Sequence, residues 1–298
     1  MMKNLLSVEN AILITGPTAS GKSALAVELA KRHGGAVVNA DSMQVYDTLR
    51  VLTARPSEEE MQGVPHHLYG HVPAGAGYST GAFLRDVASL LPALKAAGQL
   101  PVFVGGTGLY FKALTGGLSD MPDIPEALRA GLRTRLLEEG PDQLYAELDA
   151  VDPAMAASLS RQDGQRIVRA LEVIKATGRS IADFQGRSGP VLIDAEAARK
   201  IVVLPERAVL HARINGRFGK MLREGAEDEV RALLALGLPA AAPVMKAIGV
   251  SQIAAMLKGE MTRDEVLEKG AAATRQYAKR QMTWFRNQMD ERWQRLAA

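Results

Sequence analysis

A short glycine-containing stretch near the start of the chain has the residue types and spacing of a phosphate-binding loop. It fits the pattern G-x-x-x-x-G-K-[ST] and consists of Gly16, Pro17, Thr18, Ala19, Ser20, Gly21, Lys22 and Ser23. In such a loop, backbone N–H groups surround phosphate oxygens, the lysine adds a positive charge and the last hydroxyl suits Mg²⁺. An apolar strand pattern at residues 11–14 and a helical pattern at residues 24–30 flank the loop. The stretch therefore predicts a pyrophosphate or polyphosphate ligand, without indicating the reaction.

Polar residues follow two further apolar runs that have the pattern of buried strands. Residues 36–40 are followed by Asp41, Ser42, Met43 and Gln44. Residues 101–104 are followed by a Gly-Gly-Thr-Gly turn that contains Thr107. In an open parallel sheet, ligands bind at the carboxyl ends of the strands. We therefore expect these two turns and the phosphate-binding loop to converge on one edge of a sheet.

The remaining patterns predict the elements around that sheet. Residues 50–80 are rich in Pro, Gly and His and predict a long functional loop, and residues 80–97 carry the apolar stripe of a helix. A strand pattern at residues 201–204 returns the chain to the sheet, and helical patterns cover residues 207–236 and, with breaks, 262–295. The predicted fold class is α/β, a P-loop NTPase-like parallel sheet flanked by helices.

A change of composition predicts a helical insertion domain. A proline-marked joint at residues 120–125 precedes helical patterns, and the region is basic, with Arg161, Arg166, Arg169, Lys175, Arg179 and Arg187. The predicted divisions are residues 1–121 for the first part of the core, 122–197 for an RNA-binding insertion, and 198–298 for the return to the core and the C-terminal helices.

Composition restricts the chemistry. The chain has 298 residues, no cysteine and five histidines, which excludes thiolate catalysis and cysteine-zinc sites and leaves little for a histidine metal centre. A net charge of +3 permits nucleic acid binding without demonstrating it. No apolar run reaches the length of a membrane span, and the start at Met1 to Leu6 lacks a signal-peptide core. We expect a cytoplasmic, globular protein whose only metal is Mg²⁺ that binds together with phosphates.

Six blocks of residues, in the same order along the chain, resemble the bacterial tRNA dimethylallyltransferases, also called tRNA isopentenyltransferases. The blocks are residues 16–23, 41–46, 104–110, 165–170, 217–218 and 274–284. The resemblance extends from about residue 11 to residue 287. It implies transfer of a dimethylallyl group from dimethylallyl pyrophosphate to N6 of the adenosine 3′ of the anticodon in tRNA. One departure follows Ala247-Ile248-Gly249, where the family usually has an aromatic residue and then a charged or polar one, and this chain has Val250 and Ser251.

The resemblance also implies roles for individual residues. Asp41 would bind the adenine amine and act as general base, while Thr107 and Arg217 would stabilise the leaving pyrophosphate. The phosphate-binding loop would hold the pyrophosphate, with Mg²⁺ near Ser23. The residues implied to contact tRNA are Asp41, Ser42, Met43, Gln44, Thr107, Arg129, Gln165, Arg166, Ile167, Val168 and Arg169.

The chemistry of this transfer gives independent reasons for these residue types. The N6 amine of adenine is a poor nucleophile, so a carboxylate that removes its proton is typically worth about 10²–10⁴-fold in rate. Cations and loop amides stabilise the charge that develops on the departing pyrophosphate. A base within a stacked stem cannot reach such a site, so the substrate must be an unpaired nucleotide of a loop.

Other interpretations of these residues stay open at the level of sequence. Asp41 has the position of a Mg²⁺ ligand in phosphate-loop NTPases, and Thr107 could cap the following helix. Tyr277 and Trp284 are more typical of a helix core than of a base-stacking platform. An Arg such as Arg217 on a helix is by default a solvated residue.

Other functions also fit parts of the pattern. The main alternative is an ATP-dependent nucleotide or small-molecule kinase, which would transfer a γ-phosphate. An enzyme that prenylates free adenine nucleotides would not need the basic insertion, and a non-catalytic RNA-binding protein would not need Lys22, Ser23 and Asp41. Nothing indicates an obligate interface, so we expect a monomer.

Overall fold

The computed structural model describes residues 10–117, 119, 121–185, 189 and 191–297. They belong to two compact units, one formed by Met1–Gly116 with Val191–Ala298 and the other by Gly117–Pro190. Three features of the sequence analysis lie outside the described residues: the N-terminal stretch Met1 to Leu6, Asp120 of the proline-marked joint and Arg187 of the basic cluster.

A sheet of six parallel strands forms the centre of the first unit. The strands are β1 (Ile12–Thr15), β2 (Gly35–Asn39), β3 (His66–His67), β4 (Leu100–Gly105), β5 (Arg199–Val203) and β6 (Gln294–Leu296). Their order across the sheet is β3-β2-β4-β1-β5-β6. The predicted α/β fold with a parallel sheet is confirmed.

Helices cover both faces of this sheet. The helices of the first unit are α1 (Lys22–His33), α2 (Glu58–Met61), α3 (Thr80–Ala96), α4 (Gly108–Gly116), α10 (Arg207–Arg223), α11 (Ala226–Ala235), α12 (Val250–Leu257) and α13 (Arg263–Gln288). Along β1, Leu13 packs with α3 and α4 residues, whereas its neighbours Ile12 and Ile14 pack with α1 residues. Successive strand residues point to opposite faces, so a strand covered on both sides must be apolar throughout.

The second unit is helical. Its helices are α5 (Glu126–Glu139), α6 (Pro141–Val151), α7 (Pro153–Ala157), α8 (Gly164–Thr177) and α9 (Ala182–Gln185). Leu132, Leu144, Leu148, Ile167 and Leu171 are buried in its own core. The helices predicted from the leucine spacing in this region therefore pack against one another.

The boundaries of the units differ from those predicted. The sequence assigned residues 191–197 to the insertion, but the backbone N–H groups of Leu192 and Ile193 both donate to the Leu114 carbonyl of α4. Both side chains are buried in the core beside the sheet. These residues therefore belong to the first unit, because their apolar side chains complete its core.

The structure also corrects three elements. The predicted loop at residues 50–80 contains α2 and the short strand β3, which pairs with Val37 and Val38. The helical pattern at residues 207–236 is two helices, separated at Gly225, whose φ of 106° only glycine adopts readily. The predicted last helix ends at Gln288, and residues 294–296 form β6 because β5 offers them a free edge with which to pair.

The first three predicted strands, β1, β2 and β4, are neighbours in the sheet and run in parallel. Their carboxyl ends therefore lie at one edge, as expected, and the phosphate-binding loop, the Asp41 turn and the Thr107 turn all start there. Among the described residues, no helix is long and apolar enough to cross a membrane.

Two helix glycines of the first unit provide a stability test. A Cβ on Gly270 of α13 would lie 2.1 Å from the Phe218 ring, whereas a Cβ on Gly216 of α10 would meet nothing within 4 Å. We expect Gly270→Ala to lower the free energy of unfolding by about 1–3 kcal/mol through overpacking. Gly216→Ala should raise it by about 0.5–1 kcal/mol, because alanine restricts the unfolded chain more than glycine does. Denaturant-induced unfolding measures both, and equal effects would contradict the assigned packing of α10 on α13.

Candidate active site

A cavity of about 300 Å³ opens at the carboxyl edge of the sheet. Residues from the phosphate-binding loop, the Asp41 turn and the helices α10 and α13 line it. The polar members that concern the chemistry are Lys22, Ser23, Asp41, Ser42, Gln44, Arg217, Lys246, Tyr277 and Arg280. The structure therefore brings together predicted residues that are far apart in the sequence.

The backbone of the phosphate-binding loop requires its small residues. Gly21 has a φ of 90° and Ala19 a φ of 62°, which turn the chain sharply into α1. A Cβ on Gly16 would lie 2.6 Å from the Val203 carbonyl oxygen at the end of β5. The first glycine of the motif is therefore needed because the loop passes directly over the neighbouring strand.

Lys22 lies beside two other charged groups. Its ammonium donates to the Pro17 carbonyl at 3.2 Å. Burial lowers the pKa of Lys22 to about 8, the Asp41 carboxylate acts in the opposite direction, and the Arg217 guanidinium adds to the lowering. Burial also lowers the pKa of Arg217. The predicted cations thus share one partly desolvated space, where their attraction for an anion is stronger than in water.

Asp41 is held by hydrogen bonds from its own turn. Its Oδ1 accepts from the Met43 N–H at 2.9 Å, and its backbone N–H donates to Asn39 Oδ1 at 2.9 Å. Asn39 is fully buried and also donates to the Asp41 carbonyl. The carboxylate is therefore oriented by its own turn, and the backbone of that turn is held by Asn39, which does not line the cavity. Sequence analysis did not identify Asn39, because a buried asparagine at a strand end has no distinctive spacing.

Thr107 has a different position from the one its predicted role suggests. Its Oγ1 accepts from the Ser42 N–H at 3.0 Å and lies 3.2 Å from Ser42 Oγ, and Thr107 is not among the residues that line the cavity. The side chain does not cap α4. It connects the Asp41 turn to the turn after β4. Because its single O–H donates to Ser42 Oγ, a hydrogen bond to a phosphate oxygen would require that O–H to turn away from Ser42.

Tyr277 lines the cavity, contrary to its interpretation as a core residue. Burial and then the Asp41 carboxylate raise its pKa, so the phenol remains a hydrogen-bond donor at neutral pH. Trp284, about two turns further along α13, packs instead against Gly108, as the core interpretation predicted. Position in the fold thus separates two aromatic residues that the helical spacing grouped together.

One side of the cavity is apolar. Leu52, Ile214, Phe218, Met221 and Ile248 line it. None of these was predicted, since apolar residues on α10 and in loops have the appearance of ordinary core. The nearest signals were the block at residues 217–218, which contains Phe218, and the stretch Ala247-Ile248-Gly249 that precedes the departure from the family pattern. Such a surface can accept a small hydrocarbon group beside the phosphate-binding loop.

The loop at residues 50–54, which closes this side, is held by side-chain hydrogen bonds at both ends. Glu229 of α11 accepts from the N–H groups of Arg50, Val51 and Leu52 at 3.0, 2.7 and 3.0 Å. Gln44, predicted to face RNA, donates its amide protons to the carbonyls of Thr53 and Ala54 at 2.9 and 2.8 Å. The side-chain N–H donors of Gln44 are therefore occupied within the protein, and only its side-chain carbonyl oxygen is available to a ligand.

Few groups in the cavity can bind a metal ion. Among the described residues, no three His, Cys, Asp or Glu side chains cluster in a way that could hold one. The exposed hydroxyl of Ser23 and the carboxylate of Asp41 line the cavity. This donor set fits Mg²⁺, which takes few protein ligands and completes its shell with phosphate oxygens and water.

The remaining predicted RNA contacts lie in the second unit. Arg166 is well exposed, and its Nε lies 3.4 Å from Asp163 Oδ2. Arg169, in contrast, donates to the buried carboxylate of Glu172 at 2.9 Å. Arg129 Nε lies 4.0 Å from the same carboxylate. Gln165 is exposed in the first turn of α8.

Two of those predicted contacts are corrected by burial. Ile167 and Val168 are 0% and 5% exposed, and their side chains form part of the core of the second unit. They cannot present a side chain to RNA. The block at residues 165–169 alternates between surface and core because a helix turns by about 100° per residue.

The fold and the cavity define a class of protein. A phosphate-binding loop, two nearby cations and an oriented carboxylate share one cavity at the edge of a parallel α/β sheet. These features are typical of P-loop-type enzymes, in which such a loop suits phosphate groups and such a carboxylate suits the removal of a proton.

Comparisons with known proteins identify the family. A family model described as IPP transferase matches residues 44–288, and one described as isopentenyl transferase matches residues 9–69. The tRNA dimethylallyltransferase of Rhizobium etli (strain CFN 42) is 90% identical over 295 residues, which is 99% of each chain. That of Agrobacterium fabrum is 68% identical over 296 residues, again 99% of each chain.

Solved structures agree with this result. The full-length tRNA isopentenylpyrophosphate transferase from Bacillus halodurans is 34% identical, with a TM-score of 0.67 over 97% of this chain and 90% of that one. A eukaryotic dimethylallyltransferase solved acting on tRNA is 27% identical, with a TM-score of 0.78 over 93% of this chain and 70% of that one. The chain belongs to the tRNA dimethylallyltransferase family, and the kinase interpretation is wrong.

The pKa of Lys22 predicts how anion binding depends on pH. Because this pKa is lowered to about 8, the ammonium loses its proton as the pH rises through that value. The contribution of Lys22 to pyrophosphate binding should therefore fall about tenfold between pH 7 and pH 9. Calorimetric titration of the wild type and of Lys22→Ala with inorganic pyrophosphate measures this, since ionisation of pyrophosphate itself affects both equally. Parallel pH profiles for the two proteins would refute the assignment.

Proposed function

We propose that this enzyme transfers the dimethylallyl group of dimethylallyl pyrophosphate to N6 of the adenosine 3′-adjacent to the anticodon of a tRNA, with release of pyrophosphate. The observation that carries the proposal is the shared cavity, in which Asp41 lies with Lys22 and Arg217 beside an apolar surface. The cavity thus offers cations for an anionic leaving group, an apolar surface for a small hydrocarbon group and a carboxylate for the proton of an amine.

Asp41 acts on the nucleophile. Its Oδ1 is fixed by the Met43 N–H, and its Oδ2 accepts no hydrogen bond from the described residues. The free oxygen is available to the N6 amine, whose proton it accepts as the new C–N bond forms. The phenol of Tyr277 and the guanidinium of Arg280, both at the cavity, provide donors for the ring nitrogens or the backbone of the target nucleotide.

Lys22, Arg217 and the amides of the phosphate-binding loop act on the leaving group. As the bond between the allylic carbon and oxygen breaks, negative charge accumulates on pyrophosphate. Positioned cations and N–H donors in a partly desolvated cavity stabilise that charge without reorganisation. Mg²⁺, bound through Ser23 and the diphosphate, would supply further charge neutralisation. We propose Mg²⁺ as the only metal, because the cavity offers no larger set of ligands.

The proposed RNA surface includes the second unit. Its basic residues, among them the exposed Arg166 and the half-buried Arg169, are suited to phosphate contacts that position the anticodon loop, while the target base leaves the loop and enters the cavity. We propose a cytoplasmic enzyme that acts as a monomer. The basic insertion has no purpose for a free mononucleotide, which favours tRNA as the acceptor.

The reaction is tested with unmodified tRNA and radiolabelled dimethylallyl pyrophosphate, without ATP, followed by nucleoside analysis. We expect one labelled N6-prenyladenosine per tRNA. Asp41→Asn should lower kcat by about 10²–10⁴-fold, because the amide keeps the Met43 hydrogen bond but cannot accept the amine proton. Binding of tRNA to this variant, measured by filter retention, should equal that of the wild type. Near-normal turnover by Asp41→Asn would remove Asp41 as the base.

The RNA surface has a separate test. Replacing both Arg166 and Arg169 by Gln removes two charges but leaves a donor for the buried Glu172 carboxylate. We expect the slope of log K against log salt for tRNA binding to flatten by about 0.7–0.9 per lost phosphate contact. The control is Arg32→Gln, an exposed arginine of α1 that pairs with Glu28 at 2.8 Å. Equal slopes for the double variant and the control would place the RNA surface elsewhere.

A further inference from the structure

Gln281 of α13 is a buried polar residue for which the reaction has no direct use. It is 6% exposed and is not among the residues that line the cavity. Its Oε1 accepts from the Thr18 N–H of the phosphate-binding loop at 3.0 Å. Its Nε2 donates to the Gly106 carbonyl, after β4, at 2.9 Å. One side chain thus joins two loops that belong to different strands.

The two hydrogen bonds determine how this amide is oriented. A backbone N–H can only donate and a backbone carbonyl can only accept, so the carbonyl oxygen of Gln281 must face Thr18 and its nitrogen must face Gly106. An isosteric residue with only donors or only acceptors can satisfy one loop but not both. Glutamine is therefore specified by the chemistry of its two partners and not merely by its size.

The loop after β4 also lies unusually close to α13. A Cβ on Gly106 would be 2.3 Å from Gln281 Nε2, and a Cβ on Gly108 would be 2.2 Å from the Trp284 ring. Two glycines of one turn thus allow α13 to approach the backbone directly. The position of that turn is set by the helix at two points, one polar and one apolar.

Each of the joined loops carries a different half of the site. The phosphate-binding loop holds Lys22 and Ser23. The turn after β4 holds Thr107, which binds the Ser42 N–H, and a Cβ on Gly106 would lie only 3.3 Å from Asp41 Oδ2. The chain of contacts from Thr18 through Gln281 to Gly106 therefore connects the pyrophosphate end of the cavity to the turn beside the base.

We propose that Gln281 is a positioning residue that sets the separation between the phosphate-binding loop and the turns that carry Thr107 and Asp41. It acts through these loops and touches neither substrate. The inference rests on the proposed function, since the separation matters because donor carbon and acceptor nitrogen must meet between the two loops. Removal of the side chain leaves the Thr18 N–H and the Gly106 carbonyl without their partner and lets the loops move independently.

The test uses Gln281→Met, which keeps the length of the side chain but has no amide. For prenyl transfer, we expect a lower kcat and a higher KM for the donor, so that kcat/KM falls by a factor of about 10–100. The reason is that misplacing a reacting group by about 1 Å is enough to lower the rate on the order of 100-fold. Affinity for inorganic pyrophosphate should fall, while affinity for tRNA in the absence of donor stays at the wild-type value. If Gln281→Met does not fold, Gln281→Asn replaces it, since a side chain shorter by one methylene cannot span both partners.

Two controls separate positioning from stability. Phe285→Leu, in the core on the same helix, leaves both hydrogen bonds of Gln281 in place. It should lower the melting temperature and leave kcat and KM per folded molecule unchanged. Gln288→Met removes the amide that bonds Lys112 at 3.3 Å and should also leave them unchanged. The proposal is overturned if Gln281→Met has wild-type kcat and KM, or if Phe285→Leu shows the same losses.

The same measurements distinguish failure of this inference from failure of the proposed function. If the wild type does not prenylate tRNA, the proposed reaction is wrong. Binding of inorganic pyrophosphate then decides the role of Gln281, because weaker binding by Gln281→Met than by Phe285→Leu supports the connection to the phosphate-binding loop. Equal binding by both variants refutes it.

Discussion

The site depends on the electrostatic balance between one carboxylate and two cations in a partly desolvated cavity. In the proposed reaction, the base must keep its negative charge within reach of a pyrophosphate, whose charges repel it. Lys22 and Arg217 offset that repulsion, and burial makes their attraction stronger than it would be in water. The same burial lowers the pKa of Lys22 to about 8, so the charge of the site is sensitive to its ligand and to pH.

This balance requires that the groups keep their separation. The parallel sheet brings the three loops to one edge, and hydrogen bonds between the loops then fix them. Asn39 holds the Asp41 backbone, Thr107 holds the Asp41 turn against the turn after β4, and Gln281 connects that turn to the phosphate-binding loop. Hydrogen bonds that take no direct part in the chemistry thus determine where the chemistry can occur.

Much of the fold and of the site could be predicted because the signals are local. The phosphate-binding loop is contiguous, and apolar runs that lead into polar turns locate Asp41 and Thr107 at strand ends. Helical spacing was less informative, since it could not separate Tyr277 at the cavity from Trp284 in the core. Nor could it show that Ile167 and Val168, within a block of predicted RNA contacts, are buried.

By itself, the sequence determined the phosphate-binding loop, the class of fold and the family, because contiguous motifs and their order need no knowledge of packing. Only the tertiary structure placed Tyr277 at the cavity, assigned residues 294–296 to a strand and gave Gln281 two partners. These outcomes depend on how α10, α13 and the C-terminal segment pack against the sheet. Contacts between residues that lie far apart in the sequence leave no pattern in either stretch alone.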